Sequence, residues 1–266
     1  QIADDIALEQ TAELPLEAVP TELRHLIGKP THLSQLSDHR FSCSVVYSKY
    51  VVGNDILQFL NVMFGNVSIK PNIRITDFDP GACANLFSGP SYGIDGIRNL
   101  LSVQNSALSC TALKPVGSSP EALADIANKA TLGGIDIIKD DHGLANQASA
   151  PFDTRLQACT DAIKRAADQT GRASAYYPNI TADGDEVLRR YEKAHKGGAG
   201  GVLLSPQLTG LSAWRRLRNM EVPLPIMAHP AFSGAYVQPD FGFTPELFYG
   251  ELWRGLGADF IIYPNA

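Results

Sequence analysis

The chemistry of this chain is concentrated at the end of one apolar run. Residues 133–142 read Gly-Gly-Ile-Asp-Ile-Ile-Lys-Asp-Asp-His, a strand-like stretch that closes in Lys139, Asp140, Asp141 and His142. A parallel strand buried on both faces is nearly all apolar, and unpaired charge packed onto its end is costly. Side chains alternate along a strand, so Lys139 and Asp141 share a face, and His142 lies where the strand gives way to a loop. A carboxylate, an imidazole and a lysine open to modification suit a divalent-metal site, with Lys139, Asp141 and His142 as its candidate ligands. The bland alternative is an ordinary strand terminus with solvated polar residues, and spacing alone does not choose between the two.

Such a site needs a sheet whose strand ends gather at one rim. From Ala107 onward, strands and helices alternate. The strands are Leu108–Lys114, Gly134–Asp141, Ala173–Tyr177, Gly201–Ser205, Pro225–His229 and Asp259–Tyr263. Between them lie a helix from Ser119, with Pro120 at its first position, then Asp153–Asp168, Asp185–Lys196, Leu211–Asn219 and Pro245–Leu256. The expected fold class is α/β: a C-terminal (β/α)8 TIM barrel of which six strands are in this sequence. A doubly wound sheet is the other arrangement. Six strands leave open edges, so the reading expects later segments outside the sequence. The strand ends carry Lys114, then Lys139 with Asp141 and His142, Asn179, Ser205 with Gln207, His229, and Tyr263 with Asn265. Taken singly, Lys114 reads as a snorkelling lysine, Asn179 as a cap and His229 as a core histidine. Convergence of all of them on one rim points to function. Residues 1–88 read as a smaller N-terminal α+β domain, with strands Arg40–Tyr50 and Ile73–Phe78 around helix Asp55–Phe64. Phe87–Tyr92 is the linker, and 89–266 is the barrel domain, cut after its sixth strand.

Composition sets limits on partners. The 266 residues are 44% hydrophobic and 19% charged, which suits a soluble globular protein of one or two domains. A net charge of −6 argues against nucleic acid and anionic membranes. No apolar run approaches the roughly 20 residues of a membrane span, and the N-terminus shows no secretory leader. Cys43, Cys83, Cys110 and Cys159 form no CxxC pair. Cys110 and Cys159 sit in apolar contexts and read as reduced core residues of a cytoplasmic protein.

The run at 133–142 resembles the metal-binding motif of ribulose-bisphosphate carboxylase large subunits, and Thr111-Ala112-Leu113-Lys114-Pro115 resembles the catalytic-lysine strand of that family. Glu9-Gln10-Thr11, Phe64-Gly65-Asn66, Gly89-Pro90 with Gly93-Ile94, and the strand around His229 match in the same order. Departures matter as much. Where the family has its third metal ligand, a glutamate, this chain has His142. A second lysine is Val116; an arginine and a histidine are Pro230 and Ser233; a histidine–aspartate pair is Ser205 and Pro206. The chain is therefore similar to the RuBisCO-like (form IV) proteins rather than to CO2-fixing enzymes. The resemblance implies Mg²⁺, or a softer divalent metal given His142, together with CO2 held as a carbamate on Lys139. It implies Lys114 as acid–base group or enolate-stabilising cation, with His229 as a second such group or a positioning group. Asn179, Ser205 and Asn265 are the expected substrate contacts. Glu9 and Asn66 are expected to complete a partner subunit's site in a homodimer. The implied reaction is enolisation and isomerisation of a phosphorylated, ketose-type sugar. The alternatives are a decarboxylase or C–C cleaving lyase on a 3-oxo sugar-acid phosphate, and a non-catalytic relative.

Overall fold

The computed structural model describes residues 1–221 and 223–263. They fall into two units, Gln1–Phe87 with Tyr236–Leu247, and Ser88–Ala235 with the chain from Phe248 onward. The first unit opens with helix α1 (Ile2–Glu9) and an antiparallel hairpin, β1 (Lys29–Ser37) and β2 (Arg40–Val46). Both strands are exposed along most of their length. β1 carries no apolar alternation, so it escapes the sequence reading, whereas β2 alternates Phe41, Cys43 and Val45 with serines. The expected strand to Tyr50 stops at Val46, because Ser48 caps helix α2 (Lys49–Val52) by accepting the Tyr50 N–H. Asp55 caps α3 (Ile56–Phe64) in the same way, through the Leu57 N–H. Strand β3 (Arg74–Ile75) pairs in parallel with Phe241–Phe243, which pairs antiparallel with Val237–Gln238. Phe64 packs its ring on Phe241 and Phe243, with centroids 5.7 and 4.9 Å away. These contacts draw Tyr236–Leu247 into the first unit, whereas the sequence reading kept it in the second.

In the second unit, α4 (Gly93–Leu101) precedes β4 (Cys110–Leu113), α5 (Pro120–Leu132), β5 (Ile137–Asp140), α6 (Phe152–Thr170), β6 (Ala175–Tyr177), α7 (Glu186–Lys196), β7 (Val202–Leu204), α8 (Pro206–Thr209), α9 (Leu211–Arg218) and β8 (Ile226–Ala228). The last strand is Phe260–Ile261. All ladders here are parallel, in the orders β4-β5-β6 and β7-β8-last strand. A bridge from Asn179 to Leu203 joins the two groups, with Leu203 N–H donating to Pro178 O at 2.9 Å and Ile180 N–H to Leu203 O at 3.0 Å. The strands thus follow chain order, and no closed barrel forms among the described residues. Helix α5 starts where expected, with Ser119 accepting the Ala122 N–H. Helix α6 ends at Gly171, whose φ of 70° lies in the left-handed region that glycine enters freely. Cys159 is buried as expected, but Cys110 is exposed.

Ile137, Tyr177, Leu203 and Met227 form one buried cluster between strands β5 to β8, with Phe260 packed against it. Burying such side chains contributes about 1.5–3 kcal/mol each. The two-residue period then decides where the polar groups go. Lys139, Ser205 and His229 lie one pleat beyond Ile137, Leu203 and Met227 on the same face, with Asp141 one pleat further still. Asp140 takes the opposite face, towards α6.

Candidate active site at the strand ends

Register brings the two charged strand ends together. Leu113 pairs with Asp140, so the next residues, Lys114 and Asp141, emerge side by side. Lys114 Nζ lies 3.4 Å from Asp141 Oδ1, and His142 Nδ1 lies 3.6 Å from the same oxygen. The other oxygen, Oδ2, accepts the Gly143 N–H at 3.1 Å. Partial burial pushes the Asp141 carboxyl up. The Gly143 N–H and the nearby His142 and Lys114 outweigh it and hold the group below its ordinary value. Lys139 is half-buried and donates to Asp140 O at 3.1 Å. Burial pushes its amine below the usual lysine range, with Lys114 adding to the effect and Cys110, Asp141 and Asp140 opposing it.

His229 continues from β8 and stacks on His142, with ring centroids 4.3 Å apart and 16° between planes. Its Nδ1 accepts the Ala231 N–H at 3.1 Å. That bond places the proton of the neutral ring on Nε2, which makes His229 a donor towards the rim. Burial, with His142 and Lys139 nearby, pushes its pKa down to about 4.

A second layer lies behind this rim. Asp140 and Arg155 are both fully buried, with Arg155 Nε 3.1 Å from Asp140 Oδ2. Asp140 also accepts the Tyr176 hydroxyl at 2.7 Å and the Asn179 N–H at 2.9 Å. Burial pushes this carboxyl up, against the pull of Arg155, the Asn179 N–H and the Tyr176 hydroxyl. Among the described residues its three bonded partners all donate to it, which is the setting of an ionised carboxylate. Burial pushes the Tyr176 hydroxyl well up, so it stays a donor.

The structure gathers Lys114, Lys139, Asp141, His142 and His229 at the rim, and places the other expected residues as follows. Asn179 is buried, and its amide nitrogen donates to His142 O at 2.9 Å and Leu144 O at 3.0 Å. Its Oδ1 accepts the Thr181 N–H. It is therefore occupied by backbone rather than free for substrate. Ser205 is buried too, its N–H bound to Thr181 Oγ1 at 2.9 Å. Asn265 lies outside the described residues. Glu9 and Asn66 meet each other in the first unit, where Asn66 Nδ2 donates to Glu9 Oε1 at 3.2 Å. Buried Gln10 fixes them: it bonds Asn61 O, Val62 O and the Val67 N–H. Sequence reasoning missed Lys70, 4.0 Å from Glu9 Oε2, and it missed Arg155 and Tyr176. Arg155 did leave a signal: it falls on the apolar stripe of α6, among Phe152, Leu156, Cys159 and Ile163.

For a cation, two donors are in reach of one another. Two atoms each about 2.1 Å from one ion lie at most about 4.2 Å apart, and Asp141 Oδ1 and His142 Nδ1 are 3.6 Å apart. Among the described residues no three His, Cys, Asp or Glu side chains form a ligand group. Lys139 is the neighbour on the same strand face.

Residues 93–263 match the family described as ribulose bisphosphate carboxylase large chain, catalytic domain. The chain belongs to this family. Among its relatives is ribulose bisphosphate carboxylase-like protein 1 of Rhodopseudomonas palustris, 36% identical over 99% of this chain and 71% of its own length. The 5-methylthioribulose-1-phosphate isomerase of Rhodospirillum rubrum is 33% identical, over 99% of this chain and 70% of its own length. The 2,3-diketo-5-methylthiopentyl-1-phosphate enolase of Bacillus licheniformis is 31% identical, over 100% of this chain and 67% of its own length. A crystal structure of a RuBisCO-like protein from Rhodopseudomonas palustris superimposes with a TM-score of 0.87 at 36% identity, covering 97% of this chain and 71% of that one. Among the departures from the RuBisCO pattern, Ser233 is a packing residue here: its Oγ bonds Pro230 O at 2.5 Å and meets the Tyr249 hydroxyl at 2.7 Å. Among the described residues no helix is long and apolar enough to cross a membrane.

Proposed function

We propose that this RuBisCO-like chain is a divalent-metal-dependent enzyme that enolises and isomerises a phosphorylated ketose-type substrate without fixing CO2. The observation that carries the reading is the convergence of Lys114 and His142 on Asp141 Oδ1, on the same strand face as a half-buried Lys139. A cation would be held by Asp141, His142 and Lys139 as its carbamate. The depressed basicity of Lys139 favours that modification, because the neutral amine is the form that adds CO2 and loses a proton. The bound cation supplies Lewis acidity to a substrate carbonyl and its neighbouring oxygen. The protein groups do the rest. Lys114 is the acid–base group at the rim: as the neutral amine it takes the proton from the carbon beside the carbonyl, and the ammonium so formed stabilises the enolate oxygen and returns that proton to the neighbouring carbon. His229 uses Nδ1 on the backbone, so it orients substrate through Nε2–H rather than acting as base. The six strands would form part of a (β/α)8 barrel, and the chain would work as a cytoplasmic homodimer in which Glu9 and Asn66 reach the partner's site.

Solvent exchange tests the chemistry. Ketose phosphates, with 5-methylthioribulose 1-phosphate first, should take up deuterium from D2O beside the carbonyl when Mg²⁺ and bicarbonate are present. Lys139→Met should abolish the uptake, and no labelled CO2 should enter product. Fixation of labelled CO2, or exchange that survives in Lys139→Met, refutes the reading. Sharing of sites is tested by co-expressing Glu9→Ala and Lys139→Met chains. Random pairing makes half of the dimers mixed, each with one intact site, so activity should return to about one quarter of wild type. No recovery refutes sharing.

A further inference from the structure

The loop that follows Asp141 is held from beneath by groups that touch no solvent. Arg155 Nη1 donates to Ala150 O at 2.6 Å, and Nη2 donates to Ala145 O at 2.9 Å. Asn179 Nδ2 donates to His142 O and Leu144 O. Four carbonyls of one loop are thus bound by two side chains, both buried. The clamp is tied to the strand as well, because Arg155 Nε and the Asn179 N–H both end on Asp140 Oδ2, the carboxylate next to Asp141. A buried ion pair is a poor choice for stability alone, since apolar residues of similar volume often serve as well or better. Apolar residues cannot donate to four carbonyls. The fixed carbonyls include that of His142 itself, so the clamp sets where the His142 ring and the Asp141 carboxylate project.

We propose that Asn179, with the Arg155–Asp140 pair, is a positioning residue for Asp141 and His142, and that cation affinity depends on it. This rests on the metal reading above. Outer residues that orient metal ligands typically change metal affinity by about 10–100-fold when removed. Asn179→Ala deletes both donors to the loop and leaves the Asp140–Arg155 bond in place.

The test is Mn²⁺ binding by the full chain with bicarbonate, read from the free-Mn²⁺ electron paramagnetic resonance signal, beside urea unfolding and amide hydrogen exchange. Wild type, Asn179→Ala and the milder Asn179→Ser are compared with Ile163→Ala, a core truncation in α6 two turns beyond Arg155 that controls for lost stability. The expected result is at least tenfold weaker Mn²⁺ binding in Asn179→Ala, faster exchange confined to 142–150, and unchanged Mn²⁺ binding in Ile163→Ala. If Asn179→Ala does not fold, Asn179→Ser should show the same direction. Mn²⁺ affinity equal to wild type in the folded Asn179 variant overturns the proposal, as does an equal loss in Ile163→Ala. If wild type itself binds no Mn²⁺, the metal reading fails separately. Exchange then decides the positioning role: acceleration confined to 142–150 supports it, and unchanged exchange there overturns it.

Discussion

Replacing Arg155 by methionine isolates the buried pair behind the candidate active site. Methionine keeps most of the aliphatic stem and removes the guanidinium, losing the bonds to Asp140 Oδ2, Ala150 O and Ala145 O. Exposure decides the magnitude. A surface pair would contribute about 0–1 kcal/mol, but both side chains here are 0% exposed, and breaking a buried pair costs about 3–5 kcal/mol. Tyr176 and the Asn179 N–H still serve the carboxylate, so the loss should fall near the lower end. That is a large part of a stability of about 5–15 kcal/mol. The loss should also depend on pH. With the guanidinium gone, burial pushes the Asp140 carboxyl further up, so the folded variant binds this proton more tightly than the unfolded chain does. Its stability deficit then shrinks as pH falls from 8 to 5. Urea unfolding at both pH values measures it. The double variant Arg155→Met/Asp140→Asn, which removes the charge but keeps an acceptor for Tyr176, should recover a good part of the loss. A deficit below about 1 kcal/mol at pH 8, a deficit independent of pH, or a double variant no more stable than the single one would refute the reasoning.

Two further predictions concern the rim. His229 has a folded pKa near 4 against an ordinary 6.5, so the native chain without metal resists protonation. Stability should be lost as pH falls through 6.5 towards 4, and the His229 ring signal in an NMR titration should stay neutral at pH 5; a midpoint near 6.5 refutes this. Gly143→Ala would put a Cβ 3.1 Å from Val116 Cγ2 and 3.2 Å from Asp141 Oδ2. It should weaken Mn²⁺ binding by displacing the carboxylate, and Val116→Ala should partly restore it; wild-type affinity in Gly143→Ala argues against a fixed Asp141.

The rim was legible in sequence because its rules are local. Strand alternation alone puts Lys139 and Asp141 on one face, and chain order along parallel strands puts Lys114 and His229 at the same end. The hairpin and the segment 236–247 were not legible for a physical reason. An exposed strand such as β1 has no apolar period to read, and the pairing of Phe241–Phe243 with β3 joins segments far apart in the chain. Asn179 shows a different limit. A polar residue at a strand end serves either the ligand or the loop, and residue type is the same in both cases. What separates them is whether donors remain. Asn179 has spent its amide on two carbonyls, while His229 has committed only Nδ1, to the Ala231 N–H, and keeps Nε2–H for the rim. Under the proposed function the first would act on chemistry only through the position of His142 and Asp141, and the second directly, a difference that lies in partners and not in sequence.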